Sequence, residues 1–187
     1  MSRREMNDLI TVRSATSSDA RGIAEVLVDV WKSTYAQILP GDFLDSLSYQ
    51  QHEANTRELL QSLPTSTAAF VADHGADVVG VALIRVTTDD DFAAELDALY
   101  VLPGMQRHRI GSRLLRHVVR WLSERGHASL RLWVIRDNPY RRFYDRIGGE
   151  LLREERQDEF GGASVVSVGY GWRNLETLAE RLEARVQ

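Results

Sequence analysis

The stretch MQRHRIGSRLL, residues 105–115, stands between LDALYVLP (96–103), which reads as a strand with a stop, and GSRLLRHVVRWLSERG (111–126), which reads as a helix. A helix start leaves its first amides without intrahelical partners and carries partial positive charge. Anions settle there, and a tight turn whose successive N–H groups converge forms a nest for phosphate or pyrophosphate. Gly111, lacking a Cβ, lets the backbone approach closely, and Arg107, His108 and Arg109 add charge. These residues predict a phosphate-bearing ligand over 107–112. An ordinary strand-to-helix turn with a solvated basic rim accounts for the same residues equally well.

Charge is distributed unevenly around this turn. The 187 residues carry a formal charge of −4. Between Gly104 and Gly148, eleven arginines face Glu124, Asp137 and Asp145, a local balance of +8, so the remainder carries −12. A basic segment in an acidic chain points to a local anion site, although a solvated helix face has the same composition. Nearly all the basic residues are arginine, so the clustering and not the arginine identity is informative. With no cysteine, disulfides, thiolate nucleophiles and cysteine-held metals are excluded. His52, His74, His108, His117 and His127 show no metal-ligand spacing with carboxylates and read as surface residues, so no metal is expected. The start, MSRREMNDLI, lacks an apolar h-region, and no apolar run reaches the ~18 residues of a membrane span. A cytoplasmic protein with no membrane partner is expected. An acidic chain without a nucleic-acid recognition motif is not expected to bind nucleic acid.

The length suits one domain, here taken as 1–187. LITVRSA reads as a first strand. Residues 16–19 (TSSD) offer polar caps, and Ile23, Val26, Leu27, Val30, Trp31, Thr34 and Tyr35 follow at helical spacing to about Ala36. PGDFLDSLS reads as a helical turn and YQQHEANTRELLQSL as a helix. TAAFVAD and DVVGVALIRV form a hairpin about His74-Gly75-Ala76, and AAELDALYVL is the next strand. The helix from Ile110 to Arg125 ends at Gly126, a C-cap. SLRLWVI is a strand. NPYRRFYDRIGG is a short helix, with Asn138 as cap and Pro139 at its first position. Two last strands flank Gly161-Gly162, and NLETLAERLEARV is an amphipathic helix. The order is that of one mixed α/β domain. Leu178, Leu182 and Val186 on the last helix offer an exposed apolar face for a homodimer, or pack on their own domain.

Neither G-x-x-x-x-G-K-[ST] nor G-x-G-x-x-G after the first strand is present, so neither a P-loop nor a dinucleotide fold is supported. The turn instead resembles motif A of the GNAT superfamily of acetyl-CoA-dependent N-acetyltransferases, Q/R-x-x-G-x-G/A between a strand and a long helix. Gln106 and Gly111 match its ends, while Arg109 replaces its middle glycine. A left-handed backbone there would strain an arginine. VIRDNPYRRFYDRIGGE resembles the family's N-x-x-A-x-x-F-Y-x-x-x-G-F segment through Asn138, Phe143, Tyr144 and Gly148, with the Asn-to-Tyr spacing one residue short. WKSTYAQILPGDFL resembles the first two helices of small bacterial members, and VGYGWRNL a common last-strand ending.

The resemblance implies a GNAT-like central, mostly antiparallel sheet of about seven strands flanked by helices. It implies acetyl transfer from acetyl-CoA directly to a primary amine of a small molecule or peptide, with no acyl-enzyme. Leu99, Tyr100 and Val101 are then expected to hold the pantetheine arm and polarise the thioester. Gln106, Arg107, His108, Arg109, Ile110, Gly111 and Ser112 are expected to bind the pyrophosphate, with Asn138 also in the cosubstrate site. Tyr144 becomes the general acid, since a phenol's pKa of ~10 lies above a thiol's ~8.5. Glu95, in the strand where several members carry a catalytic glutamate, is the candidate base. Asp97, two residues on and on the same face of a regular strand, joins Trp31 and Tyr35 as candidate acceptor-site residues. Packing of the first helix on the core accounts for Trp31 and Tyr35 as well, and Trp133 is read as core. The Arg109 substitution and the short spacing leave a second reading, an acyl-CoA-binding sensor or interaction module with little catalysis.

Overall fold

The computed structural model describes residues 9–88 and 91–186. Residues 1–8, where no signal segment was expected, and Asp89 and Asp90 lie outside the described residues. Strands β1 (Ile10–Ser14), β2 (Thr67–His74), β3 (Asp77–Val86), β4 (Ala94–Val101), β5 (Leu130–Ile135), β6 (Glu150–Phe160) and β7 (Ala163–Trp172) form one sheet in the order β1-β2-β3-β4-β5-β7-β6. Neighbours pair antiparallel except β4 and β5, which run parallel. The described helices are α1 (Ala20–Thr34), α2 (Gly41–Asp45), α3 (Tyr49–Gln61), α4 (Ile110–Ser123), α5 (Arg142–Arg146) and α6 (Leu175–Val186), with short 3-10 turns at Ser17–Asp19 and Pro103–Met105. The mixed α/β class and the mostly antiparallel seven-stranded sheet are as expected. No helix among the described residues is long and apolar enough to cross a membrane.

Helices cover both faces of the sheet. On β2, Ala68, Phe70 and Ala72 join the cluster that holds Leu114, Leu115, Val118 and Leu122 of α4. Val71, pointing the other way, joins Ile23, Val26 and Val30 of α1. Strand side chains alternate between faces, so a strand covered on both sides reads as a continuous apolar run. That is the pattern of TAAFVAD.

The sequence expectations need three corrections. Leu178 and Leu182 are fully buried in the α4 cluster, so α6 packs on its own domain and this ground for a homodimer is gone. The helix after Asn138 begins at Arg142 and not at Pro139. Asn138 Oδ1 accepts from the Tyr140 N–H (2.8 Å), and Arg141 N–H donates to the Asn138 carbonyl (3.1 Å). These bonds make a run of tight turns before the helix proper. His117 is half-buried, its Nδ1 3.0 Å from the Arg113 carbonyl, and burial lowers its pKa.

The start of α1 is fixed by Asp19. Its carboxylate accepts from the Thr16 N–H (2.7 Å) and from the Thr16 hydroxyl (3.0 Å). Arg13 of β1 donates to Asp19 (2.8 Å) and to Asp73 of β2 (2.7 Å), tying two strands and a helix together. The Arg13 hydrogen bond, against the opposing effect of burial, holds the Asp19 carboxyl at about 2, below its unfolded value of ~3.9. A depressed carboxylate stabilises the fold above its unfolded pKa, and that contribution disappears as pH falls through the folded pKa. Asp19→Asn is expected to cost about 1–3 kcal/mol at pH 7, with the deficit shrinking from pH 4 towards pH 2 in urea titrations against the parent. Leu182→Ala is expected to cost about 2–5 kcal/mol in the same assay.

Candidate functional site

The site begins at the parallel seam. β4 and β5 pair only through Glu95↔Arg131 and Leu96↔Leu132. On the other side of β4, Ile84 pairs with Leu96 and Leu83 with Ala98, leaving Asp97 as an extra residue in a bulge. Bulges bend a strand and increase its twist. Beyond Asp97, β4 leaves β5, and the gap opens into a cleft of about 960 Å³. Asp97, Leu99, Tyr100 and Val101 line one wall, and Leu132, Trp133, Val134 and Ile135 the other. Past the seam β4 keeps β3 as its partner, so every second peptide group faces the gap with no strand to meet it.

The turn between β4 and α4 closes one end. Gln106, Arg107, Arg109, Ile110, Gly111 and Ser112 all line the cleft, whereas His108 does not. Arg107 (φ 66°) and Arg109 (φ 62°) both adopt the left-handed conformation, at a cost on the order of 1 kcal/mol each for a non-glycine residue. Arg109 thus takes the strained backbone that the motif's glycine would take. Its guanidinium donates to the Val186 carbonyl (3.0 Å), anchoring the loop to the C-terminal end of α6, where helix carbonyls favour a cation. The Arg113 N–H donates to the Arg109 carbonyl (3.0 Å), so the amides of residues 110–112 are the free first donors of α4. A Cβ on Gly111 would meet only the Phe143 ring, at 3.7 Å. Sequence reading missed Arg142, Arg146 and Arg185, which add three more guanidiniums to this end.

The opposite end is aromatic and acidic. Trp31 packs edge-on against Tyr35 (5.1 Å between ring centroids) and Phe160 (5.2 Å). Trp31 Nε1 donates to the Tyr100 hydroxyl (3.3 Å), and Asn138 Nδ2 to the Tyr35 hydroxyl (3.0 Å). Trp31 and Tyr35 therefore both line the cleft and pack in a local cluster with Leu39, Leu44 and Ile135. Trp133, read as core, is on the wall instead, and Asp158 and Phe160 of β6 were missed. Their only sequence signal is period-two spacing in a charged strand, which does not say what the strand faces.

Tyr144 lies on the α5 wall of the cleft. Burial pushes its phenol well above the ordinary value, and the nearby phenols of Tyr35 and Tyr100 push the same way. Asp97 is also raised, chiefly by burial and further by Glu95, against the pull of Arg85, whose fork donates to both carboxylate oxygens (3.2 and 3.1 Å). Glu95 is 8% exposed and does not line the cleft. Arg131 (2.8 Å), Arg85 (3.2 Å) and Arg156 (3.7 Å) surround its carboxylate. That setting makes Glu95 a brace for the seam. A general base must come within hydrogen-bond reach of its proton donor, directly or through one water, and nothing here gives Glu95 that reach.

The acetyltransferase (GNAT) family matches residues 27–149. YuaI, an uncharacterized N-acetyltransferase of Bacillus subtilis, is 36% identical over 174 residues, covering 91% of this chain and 96% of its own. Among solved structures, the PaiA N-acetyltransferase of Thermoplasma acidophilum, in complex with coenzyme A, superposes with a TM-score of 0.68 at 21% identity. The match covers 87% of this chain and 99% of that one. YncA of Salmonella typhimurium, solved with acetyl-CoA, gives 0.63 at 18% identity, over 88% and 94% of the two chains. The chain thus belongs to the acetyltransferase (GNAT) family, and it is an acyltransferase.

Proposed function

We propose that this protein, acting as one domain, transfers the acetyl group of acetyl-CoA to a primary amine by direct attack. The observation that carries the reading is the cleft itself. The parting of β4 and β5 opens one cleft whose lining includes both the start of α4, with its free amides, and Tyr144. The diphosphate of the cosubstrate suits the nest at 107–112, with the amides of Ile110 and Gly111 as donors and the surrounding guanidiniums as counter-charge. Solved structures of similar fold hold coenzyme A and acetyl-CoA. Asn138, already donating to Tyr35, acts by holding the acceptor-side wall against the α5 segment.

In the reaction the neutral amine nitrogen forms a bond to the thioester carbon. The developing oxyanion is met by the backbone N–H of Leu99 or Val101, which alternation along β4 turns to the β5 side. The C–S bond then breaks, and the departing thiolate takes the Tyr144 proton. A phenol with a raised pKa keeps its proton until the thiolate forms and is re-protonated by the proton that the amine releases. No side chain carries the acetyl group, in keeping with a chain that has no cysteine.

Two measurements test this reading. Gly111→Glu sets a carboxylate in the phosphate nest, where the Cβ itself has room. Acetyl-CoA and coenzyme A, but not ATP, are expected to raise the melting temperature of the parent by mass action, and the variant is expected to lose the shift while melting near the parent without ligand. No shift in the parent overturns the cosubstrate assignment. Tyr144→Phe is expected to keep the shift and lower kcat by about 10²–10⁴-fold. Turnover within twofold of the parent would take the proton transfer away from Tyr144.

A further inference from the structure

Of the side chains that line the cleft, Asp97 and Asp158 are its carboxylates, and they differ in one respect. Asp97 is gripped by both arms of Arg85. No hydrogen bond or ion pair among the described residues engages the half-buried Asp158 carboxylate. Arg156, two residues before it on β6, is turned to Trp133, with its guanidinium 3.9 Å from the ring centroid, and to Glu95. A half-buried carboxylate that faces a cleft without a cation is available to pair with a positive ligand group.

Thr34 of α1 is a second unpartnered polar group in the cleft. It is 9% exposed and lines the cleft, yet its Oγ1 has no hydrogen-bond partner. Buried hydroxyls are normally satisfied, so this one awaits a donor or acceptor that enters the cleft. Trp31, on the same helix as Thr34, and Phe160, on the same strand as Asp158, also line the cleft, their rings 5.2 Å apart. Phe160 and Asp158 share one face of β6. Aromatic faces attract cations and pack alkyl chains. The far end of the cleft carries Arg107, Arg109, Arg142, Arg146 and Arg185, so a cationic ligand is steered to the Asp158 end and repelled from the other.

We propose that Asp158 is the counter-ion for a second positive charge on the acceptor, which is an aliphatic amine bearing another ammonium group. The nitrogen to be acetylated sits towards Asp97 and Tyr144. The alkyl chain lies along Trp31 and Phe160, and the second ammonium bonds Asp158, with the Thr34 hydroxyl as a further acceptor. This inference rests on the acetyl-transfer reading for the cleft's use, but it concerns binding alone and is testable without turnover.

Calorimetric titrations of the full chain with 1,4-diaminobutane and n-butylamine, each with and without saturating coenzyme A, separate the two claims. The diamine is expected to bind about tenfold or more tightly than the monoamine, as one desolvated charge pair allows. Asp158→Asn is expected to remove that preference, weakening the diamine more than n-butylamine and leaving coenzyme A binding unchanged, and Asp158→Glu to restore part of it. Equal affinities in the parent, including no binding of either amine, overturn the proposal without recourse to a variant. So does an undiminished diamine preference in Asp158→Asn. Failure of the parent to bind coenzyme A would instead count against the acetyl-transfer reading, while the amine comparison made without coenzyme A still decides the role of Asp158.

Discussion

Two residue pairs, Glu95 with Arg131 and Leu96 with Leu132, hold the parallel seam of the sheet together, and the working part of the molecule follows from how early that seam ends. Sheets of this size usually keep their strands paired along their length, because unpaired peptide groups are costly when buried. Here the bulge at Asp97 turns β4 away after two pairs. The freed peptide groups then become the lining of a cleft, where a ligand can meet them. The three guanidiniums around Glu95 are explicable in this light. At the point of divergence the sheet has lost its ladder bonds, and a charge cluster braces the last pair before the gap.

The brace also separates two jobs that the sequence places side by side. Glu95, the candidate base, and Asp97, a candidate acceptor-site residue, are two residues apart and share one face of a regular strand. Arg85 touches both, yet the divergence begins between them, so one carboxylate is sealed into the seam and the other stands on the cleft wall. The two ends of the cleft are likewise unlike. Arginines gather around the start of α4, and aromatic rings with a free carboxylate lie at the other end. A substrate pair made of a polyanion and a cation is sorted by this field before any specific bond forms.

Much of this was legible in the sequence. The strand, turn and helix around 105–115 have local causes: a stop at Pro103, free amides, and an apolar period of 3.6 over α4. Asn138, Phe143 and Tyr144 of the family-like segment all line the cleft. What was not legible depends on pairing between distant strands. The fate of Glu95 is set by arginines on β3, β5 and β6, and the position of Trp133 on a wall and not in the core is set by the length of the β4–β5 ladder. The terminal leucines 178 and 182 have the same spacing whether a helix packs on its own domain or on a second copy, so periodicity could not choose between the two.

The left-handed arginines of the turn have one more consequence. A glycine at position 109 would adopt φ 62° without strain, but it would also give the unfolded and unliganded loop many more conformations to leave behind. Arginine has fewer conformations to lose than glycine but disfavours φ 62°, so the turn is held in place by the bond of its guanidinium to the Val186 carbonyl. The loop is thereby held in one conformation without a ligand, and less conformational entropy is left to lose if one binds there. Strain held in the free protein thus takes the place of ordering cost in the complex, with the end of the last helix acting as the clasp.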